Sequence, residues 1–303
     1  MPTMRTYKFK KIDAFTDRAY TGNPAAVVMV ADGLQDDEMQ LIAREMNLSE
    51  TAFLFSPTDK TYDLNLRWMT PAVEVDLCGH ATIAAFHALA ELGLYGLDAA
   101  GDHSFRVKTK SGVLPIHVYR DEKIIRVTMG LPVPTFEKYG GQKSDLCNAF
   151  SVPMELLDNS LPVWKANNGY VFIPFINREP LLKMKPDSEA LKNLSAKHSV
   201  TAFCAFTTDT KYQTSAAHSR FFAPLWGVDE DPVTGSAQGP LACYLYQNGR
   251  VRGNGKIPVT LEQGYEIARG GRVWAELTVE GDNIVELTIS GYAVTVMDGQ
   301  LYI

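Results

Sequence analysis

The sequence predicts an α+β fold in two similar halves, each a mixed and largely antiparallel sheet with one long helix. The main observation is an internal repeat, because three short motifs of the first half recur in the same order in the second. The matching pairs are SETAF at 49–53 and SVTAF at 199–203, RWMTP at 67–71 and RFFAP at 220–224, and CGHA at 78–81 and TGSA at 234–237. A second observation is that strand-like and helix-like segments follow one another in the same order around these motifs.

The spacing of the repeat divides the chain. The distance between matching motifs grows only from 150 to 156 residues, so the matches stay in register. A fourth pair, KSG at 110–112 and EQG at 262–264, lies close to the same spacing. We therefore predict one domain at residues 1–128 and a second at 129–291, followed by a short tail at 292–303.

The first half begins with two predicted strands on either side of a turn at 21–24. Residues 34–47 predict an amphipathic helix, because acidic residues come early and apolar residues recur on one face. Residues 81–93 predict an alanine-rich helix that closes with a glycine. The predicted strands are KKIDAF (10–15), PAAVVMV (24–30), TAFLF (51–55), LNLRWM (64–69) and a meander from FRVKTKSG (105–112) onward.

The second half repeats this order after a linker at 131–145, which contains two prolines and two glycines. A helix is predicted at 188–197, and a second helix starts at Gly235. The predicted strands are VFIPF (171–175), TAFCAF (201–206), SRFFAP (219–224) and those from IPVTLEQG (257–264) onward. In each half the sheet can wrap around one long helix.

The composition of the 303 residues is that of a globular protein, with 46% hydrophobic residues, 21% charged residues and a net charge of −6. No run rich in Lys and Arg is present, which argues against nucleic acid as a partner. No apolar run approaches the roughly 18 residues of a membrane span. The first fifteen residues also lack the apolar core of a signal peptide. We therefore expect a cytoplasmic protein.

The four cysteines, Cys78, Cys147, Cys204 and Cys243, are far apart and show no CxxC spacing. This pattern argues against a disulfide framework or a zinc site and fits a reducing compartment. The chain also lacks the GxGxxG, GxxxxGKS/T and HExxH motifs of dinucleotide, phosphate and zinc-protease sites. The sequence therefore predicts no metal site, and it lacks the motifs of dinucleotide and phosphate cofactors.

A difference between the two copies of the repeat points to a candidate catalytic acid. In SETAF the second residue is Glu50, and in SVTAF it is Val200. The Ser, Thr, Ala and Phe positions are common to both copies and are therefore scaffold. Glu50 is a titratable group that the scaffold does not require, which favours general acid/base catalysis. The simpler alternative is a solvated acid in a turn.

Each of the two long helices is preceded by a glycine among small residues. Gly79 follows Cys78, and Gly235 follows Thr234. The N–H groups at a helix start bind anions, and glycine lets a ligand approach closely. Two such starts across a cleft would hold a small carboxylate. The alternative is that both glycines serve only tight turns, with Cys78 as a small buried residue.

Three more residues are candidates for acid/base or substrate-orienting roles, namely His80, Asp231 and Ser236. Each also fits a structural role. His80 fits a core histidine or helix cap, Asp231 a turn cap, and Ser236 a helix cap. Arg67 and Arg220 recur in both halves, which favours structural ion pairs over catalysis.

These motifs resemble those of the PhzF-like isomerases of phenazine biosynthesis, which have the diaminopimelate epimerase-like fold. The resemblance spans nearly the whole chain. It is carried by IDAFTDRAYTGNPAAVV (12–28), MNLSETAFL (46–54), RWMTPAVEVDLCGHAT (67–82), RFFAP (220–224) and VDEDPVTGSAQG (228–239). QGYEIARGGRVWAEL (263–277) looks like a divergent form of the family's QG…GR segment.

The resemblance implies two pseudo-symmetric domains, each a mostly antiparallel, barrel-like sheet around a central helix. It implies that residues 292–303 cross back to complete the sheet of the first domain, and that the protein is a homodimer. It also implies a cofactor-free active site between the domains for a small carboxylate substrate. The implied catalytic residues are Glu50, His80, Asp231 and Ser236, with substrate contacts at Cys78, Gly79, Thr234 and Gly235.

The implied reaction is the isomerisation of trans-2,3-dihydro-3-hydroxyanthranilate, in which a hydrogen moves across an allylic system. Glu50 would take a proton from one carbon and return it to another. The ordinary pKa of Glu is about 4.3, so shuttling near neutral pH requires burial to raise it.

Two alternative functions remain open. Racemases and epimerases of the same fold use one cysteine from each half, at the positions held here by Cys78 and Thr234. One thiol is therefore missing, which argues against a two-thiol racemase. The second alternative is a metabolite-binding protein that keeps the fold without catalysis.

Overall fold

A computed structural model describes residues 4–303 and divides the chain into two compact units. The first unit contains the described residues up to Gly130 together with Ser290–Ile303. The second unit is Leu131–Ile289. In the described part of the chain, no helix combines the length and apolar character that crossing a membrane requires.

The first unit contains nine strands and two α-helices among the described residues. The strands are β1 (Thr6–Ala14), β2 (Asn23–Val28), β3 (Thr51–Phe55), β4 (Leu64–Met69), β5 (Glu74–Val75), β6 (Gly101–Thr109), β7 (Gly112–Arg120), β8 (Ile125–Leu131) and, from the end of the chain, β18 (Ala293–Tyr302). The helices are α1 (Asp36–Met46) and α2 (Gly79–Glu91), with a 3₁₀ turn at Leu94–Gly96.

The strands of the first unit surround α2. Strand β1 pairs antiparallel with both β18 and β2, β2 pairs parallel with β3, and β3 pairs antiparallel with β4. Strands β6, β7 and β8 form an antiparallel meander. Helix α2 is buried from Gly79 to Ala90 and packs against β1, β2, β3 and β18. Its many alanines leave no polar face, so strands have to cover it on every side.

The second unit, in residues 131–289, has the same kind of architecture. Its strands are β9 (Phe136–Lys138), β10 (Trp164–Ala166), β11 (Tyr170–Pro174), β12 (Ala202–Thr207), β13 (Ala217–Ala223), β14 (Val228–Asp231), β15 (Gly255–Gln263), β16 (Gly271–Glu280) and β17 (Asn283–Gly291). Its helices are α3 (Lys143–Ala149), α4 (Arg178–Lys183), α5 (Ser188–His198) and α6 (Gly235–Gln247), with 3₁₀ turns at Met154–Leu156, Pro224–Trp226 and Tyr265–Ile267.

The pairing pattern of the second unit repeats that of the first. Strand β11 pairs parallel with β12, β12 pairs antiparallel with β13, and β13 pairs parallel with β15. Strands β15 and β16 pair antiparallel along nine residues. Helix α6 is largely buried and packs against β15 and β16. The alanines, glycines and apolar residues of this helix again require a surrounding sheet.

The helices confirm the internal repeat at the level of structure. Helices α1 and α5 each have 11 residues, and α2 and α6 each have 13. The C-cap residue of α1 is Asn47, with φ of 49°, and that of α5 is Ser199, with φ of 50°. Both are left-handed caps that turn the chain into the next strand. Helix α2 begins two residues before its predicted start.

Two predictions about local structure were wrong. The predicted linker at 131–145 contains β9 and the start of α3. It is ordered because Phe136 packs against Trp164, at 5.6 Å between ring centroids, and because Tyr139 is buried. The predicted turn at 21–24 ends earlier, since Asn23 and Pro24 already belong to β2. Proline is tolerated there because it stands at the beginning of the strand.

The two recurring arginines form ion pairs, as the sequence predicts. Arg67 donates through Nε and Nη2 to the two carboxylate oxygens of Glu74, at 2.7 and 3.0 Å. Arg220 makes the same two-pronged contact with Glu230, at 2.8 and 2.6 Å. This fork geometry fixes one strand end against another in each unit. None of the four cysteines forms a disulfide in residues 4–303.

A buried charge cluster holds the second unit together. His218 Nδ1 lies 2.8 Å from Glu262 Oε1, and His218 Nε2 lies 2.7 Å from Glu266 Oε1. Burial by itself lowers the pKa of His218, but the hydrogen bonds to the two carboxylates outweigh it and raise that pKa. The same bonds outweigh burial at Glu262 and Glu266 and lower their pKa values. Both ring nitrogens of His218 face carboxylate oxygens, which favours the protonated form of the ring.

We expect His218→Gln to lower the free energy of unfolding by about 3–5 kcal/mol, because two buried carboxylates lose their counter-charge. Urea unfolding measures this, with the exposed His117→Gln as control.

The same comparison has a defined pH dependence. The carboxylates contribute above their ordinary pKa of about 4.3, and His218 contributes fully below its ordinary pKa of about 6.5. The difference between wild type and variant is therefore expected to be largest between these values, and to shrink as the pH falls or rises beyond them. A difference independent of pH from about 4 to 9 would contradict the charged assignment.

Candidate active site

Glu50 stands immediately before β3, where the chain arrives from the end of α1. Its side chain is 19% exposed, so it is mostly buried and still within reach of solvent. At the matching position of the second unit, Val200 is 1% exposed and belongs to the apolar core. The fold therefore does not require a carboxylate at this position, because the second unit has a buried apolar side chain there.

His80 lies next to Glu50 at the start of α2. Its Nε2 lies 3.2 Å from Glu50 Oε2. The two atoms are close enough for an electrostatic contact, but they do not have the geometry of a hydrogen bond. Burial lowers the pKa of His80 to about 3. The imidazole is therefore neutral at physiological pH. Its role in catalysis stays a prediction.

Asn23 determines which nitrogen of His80 carries the proton. The Asn23 side-chain amide lies 3.2 Å from His80 Nδ1, and Cys78 Sγ lies 3.5 Å from the same nitrogen. With Asn23 donating to Nδ1, the neutral ring carries its proton on Nε2, which faces Glu50. The sequence analysis missed Asn23, because an asparagine beside glycine and proline is typical of a turn.

Glu50, Cys78 and His80 form one compact group. In each residue, an atom that can bind a metal (a carboxylate oxygen, a sulfur or a ring nitrogen) lies within 4.8 Å of the corresponding atoms of the other two. Among residues 4–303, this is the group of three His, Cys, Asp or Glu side chains that are spaced closely enough to bind a metal ion. Carboxylate, thiol and imidazole are all metal ligands. The same three groups suit proton transfer, because an acid lies beside a neutral imidazole.

The start of α2 lies beside this group. Cys78 is the N-cap residue and has an extended backbone, but its side chain does not cap the helix. The first N–H groups of a helix have no partner within the helix, so an uncapped start can bind an anion. The structure thus brings Cys78, Gly79, His80 and Glu50 together in the first unit.

The other predicted residues come together at the start of α6. Asp231 ends β14, and its Oδ2 accepts a hydrogen bond from the hydroxyl of Thr234 at 2.5 Å. Thr234 is the N-cap of α6, and its side chain makes no cap to the helix. Ser236 follows Gly235, and its Oγ lies 3.3 Å from the hydroxyl of Tyr170. Asp231 therefore contacts the N-cap residue of α6, and its catalytic role stays a prediction.

Tyr170 is a second residue that the sequence analysis missed. It is buried, it packs edge-on against Phe221 at 5.1 Å between ring centroids, and it presents its hydroxyl to Ser236. No sequence signal marks it, because a tyrosine in a strand is usually a core residue. That the residues of the first and second units act on one substrate stays a prediction.

Known proteins are similar to this chain over most of its length. The model of the family described as "Phenazine biosynthesis-like protein" matches residues 12–299. The chain belongs to this family. An uncharacterised isomerase of Clostridium acetobutylicum is 36% identical over 98% of this chain and 99% of its own length. The trans-2,3-dihydro-3-hydroxyanthranilate isomerase of Pseudomonas fluorescens is 31% identical over 94% of this chain and 95% of its own.

Solved structures show the fold. A PhzF-family phenazine biosynthesis protein of Bacillus anthracis is 31% identical, covers 99% of this chain and 100% of its own, and has a TM-score of 0.90. A hydroxyproline epimerase of Agrobacterium vitis is only 13% identical but has a TM-score of 0.66 over 99% of this chain and 93% of its own. The predicted α+β fold of two pseudo-symmetric domains is confirmed, and the chain is an isomerase of the PhzF family.

We expect the side-chain nitrogens of His80 to keep the NMR signals of a neutral imidazole from about pH 8 to about pH 5, because burial lowers its pKa to about 3. Long-range ¹H–¹⁵N spectra measure this, and the missing signal in His80→Gln identifies the residue. Uptake of a proton within this interval would contradict the neutral assignment.

Proposed function

We propose that the chain moves a proton within a small carboxylate substrate similar to trans-2,3-dihydro-3-hydroxyanthranilate, with Glu50 as the acid/base. The observation that carries the proposal is the Glu50 carboxylate, mostly buried and 3.2 Å from the neutral imidazole of His80. Glu50 is also what distinguishes the two copies of the scaffold, since the second copy has a core valine there.

One base is sufficient for the proposed reaction. The Glu50 carboxylate takes a proton from a substrate C–H bond, and the electron pair of that bond shifts across the adjacent double bond. The resulting carboxylic acid then gives the proton to the far carbon of the allylic system. Because only a proton and a double bond move, the reaction needs no redox or group-transfer cofactor.

His80 has an orienting role in this proposal. Its Nε2–H faces Glu50 Oε2, so the imidazole limits the positions that the carboxylate can take. The Asn23 contact at 3.2 Å keeps the proton on that nitrogen. A positioned carboxylate is better suited to proton transfer than a mobile one, because the reacting atoms are already within reach.

The substrate carboxylate is the group that the helix starts would bind. Neither Cys78 nor Thr234 caps its helix through its side chain, and both helices have 13 residues, long enough for a full helix dipole. Asp231 and Ser236 would orient the polar groups of the ring. The anthranilate-type substrate is taken from the name of the Pseudomonas fluorescens relative. A cytoplasmic location and a homodimer stay predictions.

We expect Glu50→Gln to fold and bind ligand like wild type but to lose about 10²–10⁴-fold or more in turnover of trans-2,3-dihydro-3-hydroxyanthranilate, because the amide cannot take a proton. The measurements are product formation and exchange of substrate hydrogen with solvent deuterium. The matched control is Glu45→Gln, at an exposed position of α1. Turnover by Glu50→Gln at the wild-type rate would show that another residue is the base. Binding without turnover or exchange in the wild type would favour a metabolite-binding protein.

A two-base racemase is the second candidate, and Cys78 is the feature that favours it, because its sulfur lies 3.5 Å from His80 Nδ1. The absence of a thiol at Thr234 speaks against it.

We expect Cys78→Ala to lower turnover of the same substrate by less than about tenfold, since the thiol then has only a binding role. Loss of an acid/base thiol would instead cost about 10²–10⁴-fold. Steady-state kinetics measure this. A loss as large as that of Glu50→Gln would support the thiol as a second base.

A further inference from the structure

A fully buried glutamine lies beside the residues of the second unit that the proposed function uses. Gln263 is the last residue of β15 and is inaccessible to solvent. A primary amide has two N–H donors and two acceptor lone pairs, and burying it without partners is costly. Its hydrogen bonds therefore determine which part of the unit has to stay next to it.

All four bonding positions of the Gln263 amide are used. Nε2 donates to the backbone oxygen of Asp231 at 2.7 Å and to the hydroxyl of Thr234 at 3.0 Å. Oε1 accepts from the backbone nitrogen of Thr234 at 3.1 Å and from Nε2 of Gln238 at 2.5 Å. Three of these four bonds join β15 to the segment between Asp231 and Thr234, which leads into α6.

These bonds determine the direction of the Thr234 hydroxyl. Because its oxygen accepts a hydrogen bond from the Gln263 amide, its own O–H donates to Asp231 Oδ2, at 2.5 Å. Thr234 therefore donates to a carboxylate and does not cap α6. A hydrogen bond to a charged acceptor is stronger than one to a neutral acceptor, so it holds that carboxylate oxygen in place.

The next residue adds a steric restraint. Gly264 has φ of +87°, and a Cβ added there would lie 2.3 Å from the backbone oxygen of Pro232. The backbone after Gln263 thus packs directly against the segment that Gln263 binds. Only glycine allows this approach and this backbone conformation.

The first unit has fewer hydrogen bonds at the matching position. Ser111 stands where the repeat places Gln263, and its hydroxyl donates to the backbone oxygen of Asp76 at 2.9 Å. Ser111 is exposed and makes only this bond to the segment before α2. The second unit therefore has a buried amide with three bonds where the first has one hydroxyl, and it is the second unit's segment that carries a candidate catalytic carboxylate.

We infer that Gln263 is a positioning residue, whose amide holds the Asp231 carboxylate and the start of α6 in the arrangement that catalysis requires. It acts through Asp231 and Thr234 rather than on the substrate. The inference rests on the proposed function, because it concerns the same site.

The test uses Gln263→Met, which has a similar size but makes no hydrogen bonds, and Gln263→Glu, which keeps the shape but loses both donors. The matched control is Gln213→Met, at an exposed position of the same unit. Hydrogen–deuterium exchange by mass spectrometry reports on residues 231–237 without any substrate. Turnover of trans-2,3-dihydro-3-hydroxyanthranilate gives kcat and KM.

We expect both Gln263 variants to exchange residues 231–237 about tenfold or more faster than wild type, while the rest of α6 is unchanged. We expect kcat to fall about 10²-fold with KM within a few-fold, because the carboxylate is displaced and the ligand-binding groups remain. Thr234→Val combined with Gln263→Met is expected to be no worse than the more damaging single change, since both break one chain of bonds. Gln263→Glu provides the comparison if Gln263→Met does not fold.

The inference would be overturned if both Gln263 variants exchanged residues 231–237 at the wild-type rate. It would also be overturned if the effects of Thr234→Val and Gln263→Met on kcat were additive. If wild type itself does not turn over the substrate, the proposed substrate fails and the exchange data alone decide. Faster exchange then still supports the positioning role, and unchanged exchange still overturns it.

Discussion

Each unit depends on one constraint, which is that a helix without a polar face has to be enclosed. Helix α2 is buried from Gly79 to Ala90, and α6 is buried over most of its length. The surrounding strands remove water from the sides of these helices, so a ligand can meet their backbone only at an end. The starts of both helices, beside Gly79 and Gly235, have no side-chain cap, and the candidate residues gather there.

The two units use this common scaffold differently. In the first unit the acid comes from outside the helix, because Glu50 precedes β3 and meets His80 at 3.2 Å. In the second unit the equivalent place is filled by the core residue Val200, and the carboxylate is instead Asp231, just before α6. The duplicated fold has thus placed a carboxylate in the first unit where the second unit has an apolar side chain.

Buried polar groups gather at the end of β15 in the second unit, where hydrogen bonds hold them in place. His218 is enclosed by Glu262 and Glu266, and Gln263 uses all four of its bonding positions. Residues 262, 263 and 264 are adjacent, so one strand end carries a charge cluster, a positioning amide and a close backbone contact. Removing one member of such a network is strongly destabilising, because the free-energy cost of leaving its buried partner unpaired exceeds the net contribution of one hydrogen bond.

The sequence by itself determined the family, the order of the elements, the starts of the long helices to within two residues and the contrast between Glu50 and Val200. Repeats, apolar runs and glycines before helices are local signals that the folded chain preserves. Only the tertiary structure decided that Asn23 faces His80, 57 residues away, that Tyr170 faces Ser236, 66 residues away, and that Gln263 binds Asp231 and Thr234. It also gave structure to the segment at 131–145, through Phe136 and its aromatic neighbours. The physical reason is that these contacts follow from strand register and from the need to satisfy buried polar groups, and neither leaves a periodic pattern along the chain.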